Sequence, residues 1–244
     1  MDFEIPEEGY LPFIEGPIAI HWDNHAILMF TIWFLVVPAS VMFLRFGKIK
    51  PSTYGIPRGT SQWAWPELCW TVHKLSLYVA MFFAVAGAGF AVLISGGFSA
   101  TFHAWFGLGA VTLGALQVVS TWFRGSHGGR KDPGADPEDR ASWSGDHFDM
   151  TPQRWWFEAF HKTAGYFAVI MALGAVTTGL SQYWMPTIAV GIFIAILVVL
   201  ILAVILQGRG HNHDTYNSVF GTHPKHPFNK RRYDRMIDES DMKP

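Results

Sequence analysis

Of the eleven histidines in this 244-residue chain, four stand where imidazole can do chemistry. His25, His73, His103 and His161 each lie near the start of a long apolar run. If those runs are helices alternating in direction across a membrane, His25 and His103 share one level, and His73 and His161 share the other. Neutral imidazole carries the lone pair that metal ligation requires. Two imidazoles at one depth, on facing helices, suit the two axial positions of a haem iron. The large apolar ring would fill a bundle core, and helix N-termini offer a mildly positive field for its propionates. Levels near opposite faces of a core about 30 Å thick set two irons roughly 20 Å apart. Two redox centres so spaced would cross a membrane.

Glycine repeats with the histidines. His103-x-x-x-Gly107 and His161-x-x-x-Gly165 place a residue without a side chain one turn deeper on the ligand's own face. That leaves room for a porphyrin. The same spacing also serves a small-residue contact between membrane helices.

The elements that must position these residues follow from composition. Half of the chain is apolar and 15% is charged, against about 25% in soluble domains, so a soluble globular enzyme is excluded. Residues 26–44, 75–95, 104–123, 163–181 and 186–206 carry no charge at all. Each is close to the ~20 residues a helix needs to cross a bilayer. The sequence therefore predicts an all-α integral membrane protein with five transmembrane helices, at about 25–45, 69–95, 103–123, 156–181 and 186–207. The first four would form the haem-binding bundle. An acidic N-terminal segment, 1–24, precedes the membrane domain, 25–208, and a tail, 209–244, follows it. The single cysteine, Cys69, excludes a disulfide framework, an iron–sulfur cluster and CxxCH haem attachment. A net charge of −1 gives no field for nucleic acid.

Lysine and arginine near span ends set orientation. Segment 1–24 has neither, but carries Asp2, Glu4, Glu7, Glu8, Glu15 and Asp23. The first loop holds Arg45, Lys48, Lys50 and Arg58. The third holds Arg124, Arg130, Lys131, Arg140 and Arg154. The tail holds Arg209, Lys225, Lys230, Arg231, Arg232, Arg235 and Lys243. This predicts a multi-pass protein of a cell inner membrane, with its N-terminus outside and its C-terminus in the cytoplasm. Loop 124–155 reads as a flexible linker, and the tail as irregular and exposed. Its histidines (His211, His213, His223, His226) could bind a metal. Arg45 and Lys162 could neutralise propionates, although the positive-inside signal alone accounts for them. Glu158, three residues before His161, is a second candidate to share that histidine's face and proton.

Several of these residues together resemble a known family. His25-x-x-Leu28-Met29-x-x-x-Trp33-x-x-x-x-Pro38-x-x-x-x-x-x-Arg45 is similar to the opening helix of the cytochrome b561 proteins, transmembrane di-haem electron carriers. Trp70-x-x-His73 resembles their second helix. His103, Gly107 and Gln117 resemble the third, and Trp156, His161, Gly165, Tyr166 and Gly179 the fourth. The resemblance covers about residues 20–185. It implies two haem b groups, one held by His25 and His103 and the other by His73 and His161, the pairing that the levels also suggest. It implies electron transfer from a small cytoplasmic-side reductant, ascorbate-like or a quinol, to an acceptor or partner redox protein on the opposite face. Arg45, Lys48, Lys74, Arg124 and Lys162 would lie near the inner haem as reductant contacts. Five helices stand here against the family's usual six, loop 124–155 is longer, and no extracellular DOMON domain is expected. Membrane lipid is the expected surrounding, and a homodimer is left open.

Two other functions compete. The chain could be the quinol-linked membrane subunit of a separate oxidoreductase. It could instead be a non-redox protein, a metal-binding transporter or a structural subunit. Against the transporter, the central thirds of the spans hold no ionisable residue.

Overall fold

The computed structural model describes residues 5–11, 14–128, 132–136, 138–143, 150–227, 229–231 and 233–234. The charges expected at Asp2, Glu4, Arg130, Lys131, Arg232, Arg235 and Lys243 lie outside the described residues. Five helices are long and apolar enough to cross a membrane: α1 (Trp22–Phe46), α2 (Ser61–Ile94), α3 (Phe102–Phe123), α4 (Pro152–Gln182) and α5 (Pro186–Gly208). A short α6 (Thr215–Phe220) follows in the tail. Helices α2 and α4 begin several residues earlier than hydropathy alone indicates. At 1.5 Å per residue, their 34 and 31 residues exceed a hydrocarbon core of about 30 Å.

Helix ends follow local chemistry. Pro152 and Pro186 open α4 and α5, the position where a missing N–H costs nothing. Thr101 caps α3 by accepting from Ala104 N at 3.2 Å. Helix α1 is interrupted by a π-helical stretch, Thr31–Val36, after which Val37 N–H reaches back to Ile32 O. The cause is Pro38, which cannot donate to the carbonyl four residues earlier and crowds it.

By its contacts the chain divides into two compact units. The first comprises Met1–Ser40, Lys74–Trp122 and Ala159–Leu202; the second comprises Val41–His73, Phe123–Glu158 and Ala203–Pro244.

The core of the first unit is built from small residues around a few large ones. Ile32, Trp33 and Val37 of α1 pack with Ala80, Met81 and Ala84 of α2, Ala110 of α3, and Ala168 and Ala172 of α4. The alanines on α2 and on α4 recur one helical turn apart, a stripe that lets helices approach closely. Helices α3 and α4 run antiparallel with a regular register: Phe106 meets Gly174 and Gly109 meets Met171. Segment 1–24 is not bare chain. Strands β1 (Glu8–Gly9) and β2 (Ile18–Ala19) pair antiparallel. Gly9 lies so close to the Ile94 carbonyl that a Cβ there would be 2.5 Å from it. Trp22 Nε1 donates to Pro6 O at 2.8 Å, which ties α1 to the segment before it.

The second unit corrects two expectations. The tail is not wholly irregular and exposed: Asp214 caps α6 through Tyr216 N and Asn217 N, and Val219, Phe220 and His226 are buried. In the described part of loop 124–155, Arg140–Trp143 forms a 3-10 turn and Ser126 N donates to the Thr151 hydroxyl. The tail is fastened to the first loop by Ile56 N→Val219 O, His223 N→Thr53 O and Ser218 Oγ→Ile49 O. These bonds join opposite ends of the sequence, which no local pattern encodes.

Candidate functional site

His25 comes from the first turn of α1 and His103 from the first turn of α3, and the two meet in the first unit. Their ring centroids are 6.2 Å apart, with planes at 76°. A metal–imidazole bond is about 2 Å, and a ring centroid lies roughly 1 Å beyond the nitrogen. Two axial imidazoles across one ion therefore need about 6 Å between centroids.

The His103 ring is also held from behind. Its Nδ1 is 2.8 Å from the Ala175 carbonyl of α4, and Gly87 of α2 lines the cavity beside His25. Donation of one ring N–H to a carbonyl selects the tautomer whose other nitrogen can ligate, and it recurs at metal-bound histidines. A cavity of about 250 Å³ adjoins His25. Leu28, Phe90, Ala91 and Ile94 supply apolar walls, and β2 closes one side. At Gly107 and Gly165 the space a side chain would take is open, with nothing within 4 Å. The structure therefore brings together two facing imidazoles, one backed by a carbonyl and the other beside an apolar cavity.

The register of α3 on α4 sets the depth of His161. His103 is opposite Ala175. Gln117 lies as far along α3 from His103 as His161 lies before Ala175 on α4. Converted at the helical rise, that shared interval corresponds to about 21 Å along each helix. Gln117 enters the sequence reading only through the resemblance, but its side chain stands out. Both its Nε2 and Oε1 are buried and make no hydrogen bond among the described residues. His73 belongs to the second unit and His161 to the first.

Three of the expected basic contacts have partners within the protein. Lys48 Nζ donates to His213 O at 3.3 Å. The Arg124 guanidinium lies 4.4 Å from the Trp70 ring centre, and that of Arg45 lies 5.8 Å from Phe46. Lys74 and Lys162 fall in the first unit with α2 and α4.

Glu158 is committed elsewhere than the sequence suggested. One carboxylate oxygen accepts from Arg154 Nε at 2.9 Å and the other from the Tyr216 hydroxyl. His127 Nε2 lies 3.9 Å away. Around this carboxylate the rings stack, His127 on Tyr216 at 5.9 Å and on Phe220 at 6.0 Å, with Trp155 on Tyr216, and His226 packs tilted against Phe220. Burial, aided by Arg154 and opposed by Glu158, holds the His127 imidazole down at about 4. Burial and then the hydrogen bond to Glu158 push the Tyr216 phenol above its usual range. Reading the sequence missed this cluster, because His127 shows no periodicity and its aromatic partners lie in the distant tail.

The tail histidines do not gather. His226 packs on Phe220, while His223 stacks on Tyr54 and pairs with Glu138 at 3.2 Å. Among the described residues no group of three or more His, Cys, Asp or Glu converges. No family model matches the chain, nor does any curated protein or solved structure.

Proposed function

We propose that this protein passes single electrons across a membrane through two b-type haems, each held by two histidines. The observation that carries the reading is the His25–His103 pair, at ligation distance, with His103 oriented by a carbonyl. The haem iron would supply a reversible one-electron couple. The chain's own part is to bind, orient and shelter. His25 and His103 would hold one haem iron. The Ala175 carbonyl would fix the His103 tautomer, and Leu28, Phe90, Ala91 and Ile94 would shelter the His25 side from water. His73 and His161 would hold the second haem. Gly107 and Gly165 would leave room for the porphyrins. The buried Gln117 amide supplies a polar partner at the His161 depth.

The resemblance to the cytochrome b561 proteins supports the same assignment. On that reading the donor is a small ascorbate-like or quinol reductant on the cytoplasmic side, and the acceptor is on the other face. The two-haem reading is tested by pyridine haemochrome analysis and optical spectra of the purified protein. About two extractable haem b groups per chain, low-spin in both redox states, are expected. A colourless protein, made with ample haem supply, would refute it.

A further inference from the structure

A Cβ at Gly179 would lie 2.8 Å from His103 Nδ1 and 3.0 Å from its Cε1, distances real side chains do not tolerate. Gly179 lies one turn beyond Ala175 on the same face of α4, and Ala175 is the residue whose carbonyl meets His103 Nδ1 at 2.8 Å. In a helix, the carbonyl of one residue points toward the N–H four places on, and side chains lean back over the preceding turn. Any side chain at 179 would therefore cover the Ala175 carbonyl. A carbonyl has two lone pairs, so one can serve the helix while the other accepts from outside.

We propose that Gly179 is the positioning residue of the His25–His103 centre. Its missing side chain uncovers the Ala175 carbonyl, so that His103 donates from Nδ1 and directs Nε2 toward the iron. This rests on the haem reading above. Donation to a carbonyl makes imidazole a more basic ligand. A more basic ligand favours ferric over ferrous iron and lowers the potential of that centre alone.

The test is Gly179→Ala in the full-length holoprotein, read by redox titration and by low-temperature EPR of the ferric haems. Gly89→Ala is the control: it adds the same methyl within a span, where nothing lies within 4 Å. Alanine ordinarily strengthens a helix relative to glycine, so helix weakening does not predict loss. The expected result is a raised midpoint potential and a moved EPR line for one haem, the one that His103→Ala abolishes. The other haem should keep its wild-type values. Unchanged potentials for both haems, or equal changes in both, would overturn the proposal and leave Gly179 a packing residue. If Gly179→Ala does not accumulate, the wild type decides. In ¹⁵N-histidine NMR of the reduced, diamagnetic holoprotein, His103 Nδ1 should carry a strongly deshielded proton, and its absence overturns the assignment. A wild type with two haems but an unaffected Gly179→Ala refutes this inference only, whereas a wild type without haem refutes the parent reading as well.

Discussion

The two units answer the same problem, how to hold polar groups away from water, in different ways. In the first, His103 is oriented by the backbone carbonyl of Ala175. In the second, Glu158 is satisfied by the side chains of Arg154 and Tyr216, with His127 close by. The difference follows from the surroundings. Within lipid an isolated charge is costly, so neutral imidazoles on carbonyls are the tolerated polar group. Outside the spans a charged network can be built, provided each member has a partner. The contrast teaches that the two histidine sets are satisfied differently. His103 leans on a backbone carbonyl, and His127 closes on side chains.

Breaking one unit should leave the other's signature intact. The largest effect is expected from His103→Ala or His25→Ala, each removing the same one of two haems, with the tail as protease-resistant as in the wild type. If His25→Ala and His103→Ala lost different haems, the pairing would be wrong. Next is Glu158→Ala, which strands Arg154 and Tyr216 in a partly buried site. It should cost the second unit about 4 kcal/mol, seen as faster proteolysis after residue 208, with the optical spectrum of the His25–His103 haem unchanged.

A pH effect should follow, somewhat smaller. His127 titrates near 6.5 in an unfolded chain and at about 4 when folded. Between those values the unfolded state binds more protons. Stability of the second unit is then complete above pH 6.5 and declines as pH falls toward 4, by about 3 kcal/mol in all. His127→Phe keeps a ring in the stack and should flatten that decline in pH-dependent unfolding curves. An unflattened curve would assign it to another group.

The smallest effect sharpens the comparison within the first unit. Gln117→Leu removes a buried amide that has no partner among the described residues. The haem-free protein should gain about 1 kcal/mol. The haem-loaded protein should gain nothing, if the amide meets a polar edge of the second haem. Equal gains in both forms would show that it does not.

The five spans were legible without a structure because length and apolarity are local properties of a run. The candidate histidines were legible for a related reason: each stands near the start of an apolar run, which is also a local property. Glycine at 107 and 165 was legible as spacing, but spacing could not say whether the gap faced a ligand or a helix. Glu158 shows the limit. Its position three residues before His161 suggested a shared face, yet its carboxylate is taken up by Arg154 and, through the folded tail, by Tyr216.

What the sequence by itself determined, then, is the number of membrane-length apolar helices and their approximate lengths, both properties of one chain segment. Only the tertiary structure decided which carbonyl meets His103, since Ala175 is 72 residues away. It alone showed that Gly179 stands beside that ring, and that the tail returns to stack Tyr216 and Phe220 on His127. Those contacts depend on helix register and loop closure, quantities set by how whole elements pack and not by the residues next to each site.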